Sequence, residues 1–234
     1  MSAPTFPPLM SGHAVDGQDA PFDIACQKAV LGCDAGLVVY NLGTDRLAAA
    51  LVLAPEVALH KAMAMLPACG VGFQNALGAL APPEVAVHLE WDGTIRVNGA
   101  RCGSLQIAAS DPNPDAVPDW LVIGLSLRLW PNSDDTGLTP DDTALYAEGC
   151  AEVKAPELLE AWARHCLHWI SRWAEPDGAK ALHGEWRGLA QGIGEDITQN
   201  GQTGTFLGVD EDFGMLLRKG DTTGLLPLTS LLED

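Results

Sequence analysis

The sequence predicts an α+β protein, in which a larger part of interleaved helices and strands is followed by a small antiparallel β module. Three observations carry that prediction. Pro156 to Trp173 holds Leu159, Trp162, Cys166, Trp169, Ile170 and Trp173 on one helical stripe. Trp120 to Trp130 contains Leu-Val-Ile-Gly-Leu-Ser-Leu-Arg-Leu, whose second half alternates with the period of a strand. From about Gly188 onward, glycines recur at 192, 194, 201, 204, 208, 214, 220 and 224 with short apolar pieces between them, the pattern of short strands joined by tight turns.

The remaining elements follow in order. Asp19 to Gly32 reads as a helix, with Pro21 in its first turn, Ala25, Ala29 and Val30 at helical spacing, and Gly32 as its stop. Gly36 to Asn41 and Leu47 to Leu53 read as strands, with Asp45 and Arg46 in the turn between them. Pro55 to Gly70 and Phe73 to Leu80 suggest two helices separated by Gly70-Val71-Gly72. Val85 to Glu90 and Thr94 to Val97 form a hairpin around Trp91-Asp92-Gly93. Asn98-Gly99 is a second tight-turn signal and leads into a strand over Cys102 to Ala108. Pro131 to Asp142 reads as a solvated polar loop, and Glu175-Pro-Asp-Gly178 begins a short link.

Composition bounds the function. The 234 residues include 31 aspartates and glutamates against 13 lysines and arginines, a formal charge of −18. A phosphate-backbone binder needs cations to displace counterions, so nucleic acid is excluded as the expected partner. Met1 to Gly12 has neither the basic start nor the apolar core of a signal peptide. The most apolar run, Leu47 to Met65, is broken by Pro55, Glu56, His60 and Lys61 before it reaches the about 18 residues of a membrane span. The expectation is a soluble, cytoplasmic protein that binds no membrane. Cys26, Cys33, Cys69, Cys102, Cys150 and Cys166 include no C-x-x-C pair and no histidines at zinc spacing, so they read as free, mostly buried thiols. His165 and His168 lack an acidic partner at fixed spacing and do not suggest a metal site.

Several segments resemble biotin protein ligases, within the biotin/lipoate A/B protein ligase family. Trp91 to Ser104, W-D-G-T-I-R-V-N-G-A-R-C-G-S, lies without gaps on the family's K-W-P-N-D-x-x-x-x-x-K-L-A-G hairpin. Trp120 to Leu129 matches the following strand, V-I-G-I-G-I-N-V, and Thr143-Ala-Leu145 with Leu158-Leu159 matches A-T-S-L and its helix. The tail from Gly204 to Leu217, G-T-F-L-G-V-D-E-D-F-G-M-L-L, is similar to G-x-x-x-G-I-D-x-x-G-x-L of the ligases' C-terminal domain. The resemblance implies a class II synthetase-like mixed sheet flanked by helices over residues 1–184 and a small SH3-like β-barrel over 185–234. It also implies formation of an acyl-adenylate from biotin or lipoate and ATP, followed by transfer to a lysine of a biotinyl or lipoyl carrier domain.

The motifs that would perform that chemistry are altered. Two anions must approach in adenylation, which calls for cations and backbone donors. Where the family has an Arg/Gly-rich loop, Asn41 to Arg46 keeps one glycine, Gly43, and one arginine, Arg46, in what reads as a plain turn. The lysine before W-P-N-D is Glu90, which repels a phosphate. Trp91 survives, and Arg101 takes the second lysine's place as either an anion anchor, the candidate catalytic residue, or a surface arginine. The ring-binding D-S-T-N reads Asp19-Ala20-Pro21-Phe22, which loses hydrogen-bonding side chains at Ala20 and Phe22. The central strand's G-I-N becomes Ser126-Leu127-Arg128. No cysteine lies between Asn132 and Pro140, where the octanoyl-transferase branch carries one, and Cys150 reads as a core residue.

The expected ligand set is therefore Arg46, Trp91, Arg101, Gly103, Gly124, Ser126 and Arg128. The leading expectation is a ligase-like domain that binds an acyl group, acyl-adenylate or carrier domain without ordinary ligation. Its rival is an active, divergent ligase or acyltransferase using ATP with biotin or lipoate, in which the three arginines replace the lost donors. A third reading is an interaction protein that forms a homodimer through its sheet edge.

Overall fold

The computed structural model describes residues 3–131 and 139–232. A seven-stranded sheet in the order β1-β2-β3-β7-β6-β5-β4 forms the centre. Its strands are β1 (Ser11–Ala14), β2 (Leu37–Leu42), β3 (Arg46–Leu53), β4 (Val87–Leu89), β5 (Thr94–Val97), β6 (Ala100–Ala109) and β7 (Leu121–Arg128). β1 runs parallel to β2 and the other neighbours are antiparallel, so the sheet is mixed. Helix α1 (Pro21–Val30) covers one face; α2 (Leu59–Ala62), α3 (Met65–Leu80), α4 (Ala155–Trp173) and α5 (Gly178–Leu189) complete the helical set. A second, four-stranded antiparallel sheet, β11-β10-β9-β8, follows: β8 (Asp196–Gln199), β9 (Gln202–Val209), β10 (Met215–Lys219) and β11 (Thr222–Leu226).

Alternation in the central strands decides what each face holds. On β3, Leu47, Ala49 and Leu51 join the main core, while Ala50 and Val52 face α1. On β7, Leu121, Ile123, Leu125 and Leu127 join the main core, and Val122 belongs to the α1 side. The α1 side is made of small residues along two registers: Ala50 opposite Gly124, and Ala48 opposite Ser126. Trp162 of α4 is fully buried and donates its indole N–H to Cys69 O of α3 at 3.2 Å. The amphipathic stripe of α4 is thus core, as its spacing predicts.

The structure differs from the sequence reading in several places. Gly70-Val71-Gly72 does not separate two helices. α3 runs through it, because Gly72 lets α3 approach α4: a Cβ there would lie 3.2 Å from Cys166 N. The helix read over Pro55 to Gly70 shortens to the single turn of α2 before α3 begins. α5, read as a link, is a helix of 12 residues that continues past 184 to Leu189, with Leu182 and Trp186 buried one turn apart. β1 was not visible because Ser-Gly-His-Ala has no β-branched or aromatic residue. Leu59–Leu80 is long and apolar enough to cross a membrane by length and composition, but 72% of its most apolar window is buried inside the fold. That makes it a core segment.

Candidate functional site

The small residues on the α1 face leave space that α1 does not fill. Ala25 and Ala29 pack on the sheet, while the start of the helix stands beside an open cleft of about 570 Å³. Gly124, Ser126, Ala48 and Ser104 line its floor, and Gln106 lies beside Gly124 on the next strand. Gly17 to Phe22 form one wall, where Asn41 Nδ2 donates to Gly17 O at 3.2 Å. Gly43, Asp45 and Arg46, from the turn between β2 and β3, line it as well. The α1 N-cap is Ala20, which supplies no capping side chain, and Pro21 has no N–H. Phe22 sits close enough to the sheet that a Cβ at Gly124 would come within 2.6 Å of its ring.

Among the sequence-predicted ligand residues, Arg46, Gly124 and Ser126 line this cleft. Arg128 is Arg46's direct partner across the β3–β7 ladder. Its guanidinium donates to Thr143 O at 3.1 Å and lies 4.0 Å from Asp142 Oδ1. Arg101 also turns to Asp142, with Nε 3.6 Å from the same oxygen. Its backbone holds the 141–143 segment through Arg101 N to Asp141 O and Thr143 N to Arg101 O, both 2.8 Å. Asp142 thus stands between two of the three arginines, and Arg46 alone opens onto the cleft. Neither Arg101 nor Arg128 is among the cleft-lining residues.

Gly103 and Trp91 serve other surroundings. A Cβ on Gly103 would sit 2.2 Å from Ser126 O, so this glycine permits β6 and β7 to approach. Trp91 is 4% exposed and donates its indole N–H to Phe213 O at 2.7 Å, tying the β4–β5 hairpin to the C-terminal sheet. Glu90 faces Arg96 in an ion pair, which gives the carboxylate a partner within its own hairpin. Sequence reasoning missed Gln18, Asn41, Ser104 and Gln106 as lining residues. The last two carried a signal: polar residues two apart, on a strand paired with Gly124 and Ser126.

Among the described residues no cysteine lines this cleft. Burial pushes the Cys102 thiol up to about 12, and burial followed by the nearby Asp23 charge raises Cys26 to about 11. Cys150 is also raised, by burial first and Glu148 second. A raised thiol pKa removes the thiolate that nucleophilic attack needs. His165 is lowered, mainly by burial. Among the described residues, no three His, Cys, Asp or Glu side chains are grouped to hold a metal ion. Most of Asn132 to Pro140, the polar stretch without a cysteine, lies outside the described residues.

Comparisons with known proteins give the geometry a context. Residues 6–188 match the model of the Biotin/lipoate A/B protein ligase family, and residues 193–234 match a Domain of unknown function (DUF4444). A biotin protein ligase-like protein of unknown function from Silicibacter sp. TM1040 is 70% identical, with a TM-score of 0.93, over 99% of this chain and 100% of that one. The biotin protein ligase from Aquifex aeolicus, solved in complex with biotin and ATP, aligns at 14% identity and a TM-score of 0.71 over 92% of this chain and 95% of that one. The Leishmania major enzyme in complex with biotin aligns at 15% identity and 0.60 over 94% and 98%. No curated protein matches the chain by sequence.

Proposed function

Since this chain belongs to the biotin/lipoate A/B protein ligase family, we propose that it uses the cleft under α1 to bind a small acyl acid without activating it with ATP. The observation that carries this reading is the charge at the cleft. Among the described residues its ionisable lining is Asp19, Asp45 and Arg46, two carboxylates against one guanidinium. One guanidinium can hold one carboxylate in bidentate fashion. A triphosphate brings several negative charges into the same space and meets two aspartates, with the turn between β2 and β3 reduced to Gly43–Asp45. Adenylation needs donors aimed at the phosphorus oxygens as charge builds there, and two of the three arginines, Arg101 and Arg128, are turned to Asp142 instead.

The acyl group's polar parts find Asn41, Ser104, Gln106 and Ser126 along the floor and walls, which suits a ligand with hydrogen-bonding groups near its carboxylate. The test measures two quantities on the intact protein. Calorimetry with biotin, lipoate and octanoate should detect binding of at least one acid, weakened about tenfold by Arg46→Ala, as expected for the loss of a charge-assisted hydrogen bond. Pyrophosphate release with the same acids and ATP should stay at background. Release above background that Arg101→Ala abolishes would favour the divergent-ligase reading and overturn this one.

A further inference from the structure

Phe22 and Gln106 line not only the cleft but also a second cavity of about 180 Å³ beside it. The side cavity is walled by Leu66, Leu105, Ile107, Ala108 and Leu231, with Asp92 as its charged member. The cleft floor beside it is Gly124, Ser126 and Ser104. Phe22 is the second residue of α1, directly after Pro21, so the fixed start of the helix sets where its ring projects. The ring is partly buried against the small core on the α1 side, and it rests on Gly124 because that residue has no Cβ to displace it.

We propose that Phe22 is a specificity-determining partition, which separates the side cavity from the cleft and so limits the chain length of the bound acyl group. This rests on the reading that the cleft binds an acyl acid. With the ring in place, an acid anchored at Arg46 leaves its added methylenes against polar and small residues. Removing the ring joins the two cavities and gives those methylenes the wall at Ala108 and Leu231 to pack against, which is favourable for each methylene taken from water.

The experiment compares affinities across straight-chain acids from butanoate to octanoate, by calorimetry, for the wild type, Phe22→Leu and Phe22→Ala. The wild type should show a flat or falling affinity with chain length. Phe22→Ala should bind octanoate at least tenfold more tightly than butanoate, and Phe22→Leu should fall between the two. Thermal unfolding of each variant checks that α1 remains in place, and the leucine variant keeps an apolar side chain should alanine prove too disruptive. If the acids bind but all three proteins share one chain-length profile, the partition is wrong and the acyl reading stands. If none of the acids, nor biotin nor lipoate, binds any of the three, the acyl reading fails and the partition with it.

Discussion

Two glycines of the same sheet serve opposite purposes. Gly124 leaves its missing side chain to the cleft and to Phe22, whereas Gly103 gives its space to the backbone of β7. An alanine at Gly103 would press a Cβ against Ser126 O at 2.2 Å and Leu127 Cδ2 at 2.7 Å, in a ladder whose backbone cannot move alone. Gly103→Ala should therefore destabilise the protein by about 3 kcal/mol, the upper part of the usual overpacking range, read as a lower urea midpoint at unchanged slope. A midpoint within error of wild type would mean that β6 and β7 can separate locally. Residue identity alone could not distinguish these two glycines in the sequence. Arg46, Gly124 and Ser126, which the family resemblance singles out, line one cleft because they occupy paired strands with the same parity. Trp91 does not join them; an indole that anchors a core and one that lines a ligand site look alike until the partner, Phe213 O, is known.

Helix α3 shows how far element-level signals reach. Gly70 and Gly72 look like a break in the sequence, yet both lie inside a continuous helix because they face close neighbours. A Cβ at Gly70 would meet Leu89 at 3.0 Å and Leu105 at 3.2 Å, and one at Gly72 would meet the backbone of α4 at Cys166. Gly78, on the exposed side of the same helix, has only Gln74 Nε2 at 3.7 Å. The pair makes an internal control. Gly78→Ala should stabilise by about 0.5–1 kcal/mol through helix propensity and a less flexible unfolded chain. Gly72→Val should destabilise by about 1–3 kcal/mol by forcing α3 and α4 apart. Equal effects from the two substitutions would show that these glycines act through backbone freedom rather than close packing. The long strands, the hairpin turn at Asn98-Gly99 and α4 were readable because periodicity or turn chemistry repeats within one segment. α3 was misread because what makes Gly70 and Gly72 tolerable lies on other elements, which a local pattern does not contain. In α5, Gly184 and Gly188 face open space, and the helix is marked only by Leu182 and Trp186 buried one turn apart. The cleft was hidden for the same reason as α3, since its described lining comes from four separate stretches of chain.

At the scale of the whole molecule, the C-terminal sheet shares one core with the rest. Phe206, Phe213, Met215, Leu217 and Leu226 belong to the same buried cluster as Trp162 and Phe73. The joint centres on the turn between β9 and β10. Phe213 is 2% exposed although its φ is +62°, a conformation unfavourable for a side chain of this size. Packing repays that strain: its ring meets His183 at 5.6 Å and Trp186 at 6.0 Å between centroids, and its carbonyl accepts the Trp91 indole N–H. Asp210 Oδ1 holds the turn by accepting from Gly214 N at 2.7 Å and Asp212 N at 3.0 Å. Asp212 also pairs with Lys61 at 2.8 Å, but both side chains are substantially exposed, so this pair adds little. Docking by a buried aromatic residue should make the two sheets a single cooperative unit. Phe213→Ala should cost about 3–5 kcal/mol, as truncation of a buried phenylalanine does elsewhere. The loss should also lower one shared transition, with tryptophan fluorescence and far-UV circular dichroism remaining coincident. Separation of the two probes, or an early step confined to the C-terminal strands, would show instead that the second sheet folds on its own and that Phe213 serves only to attach it.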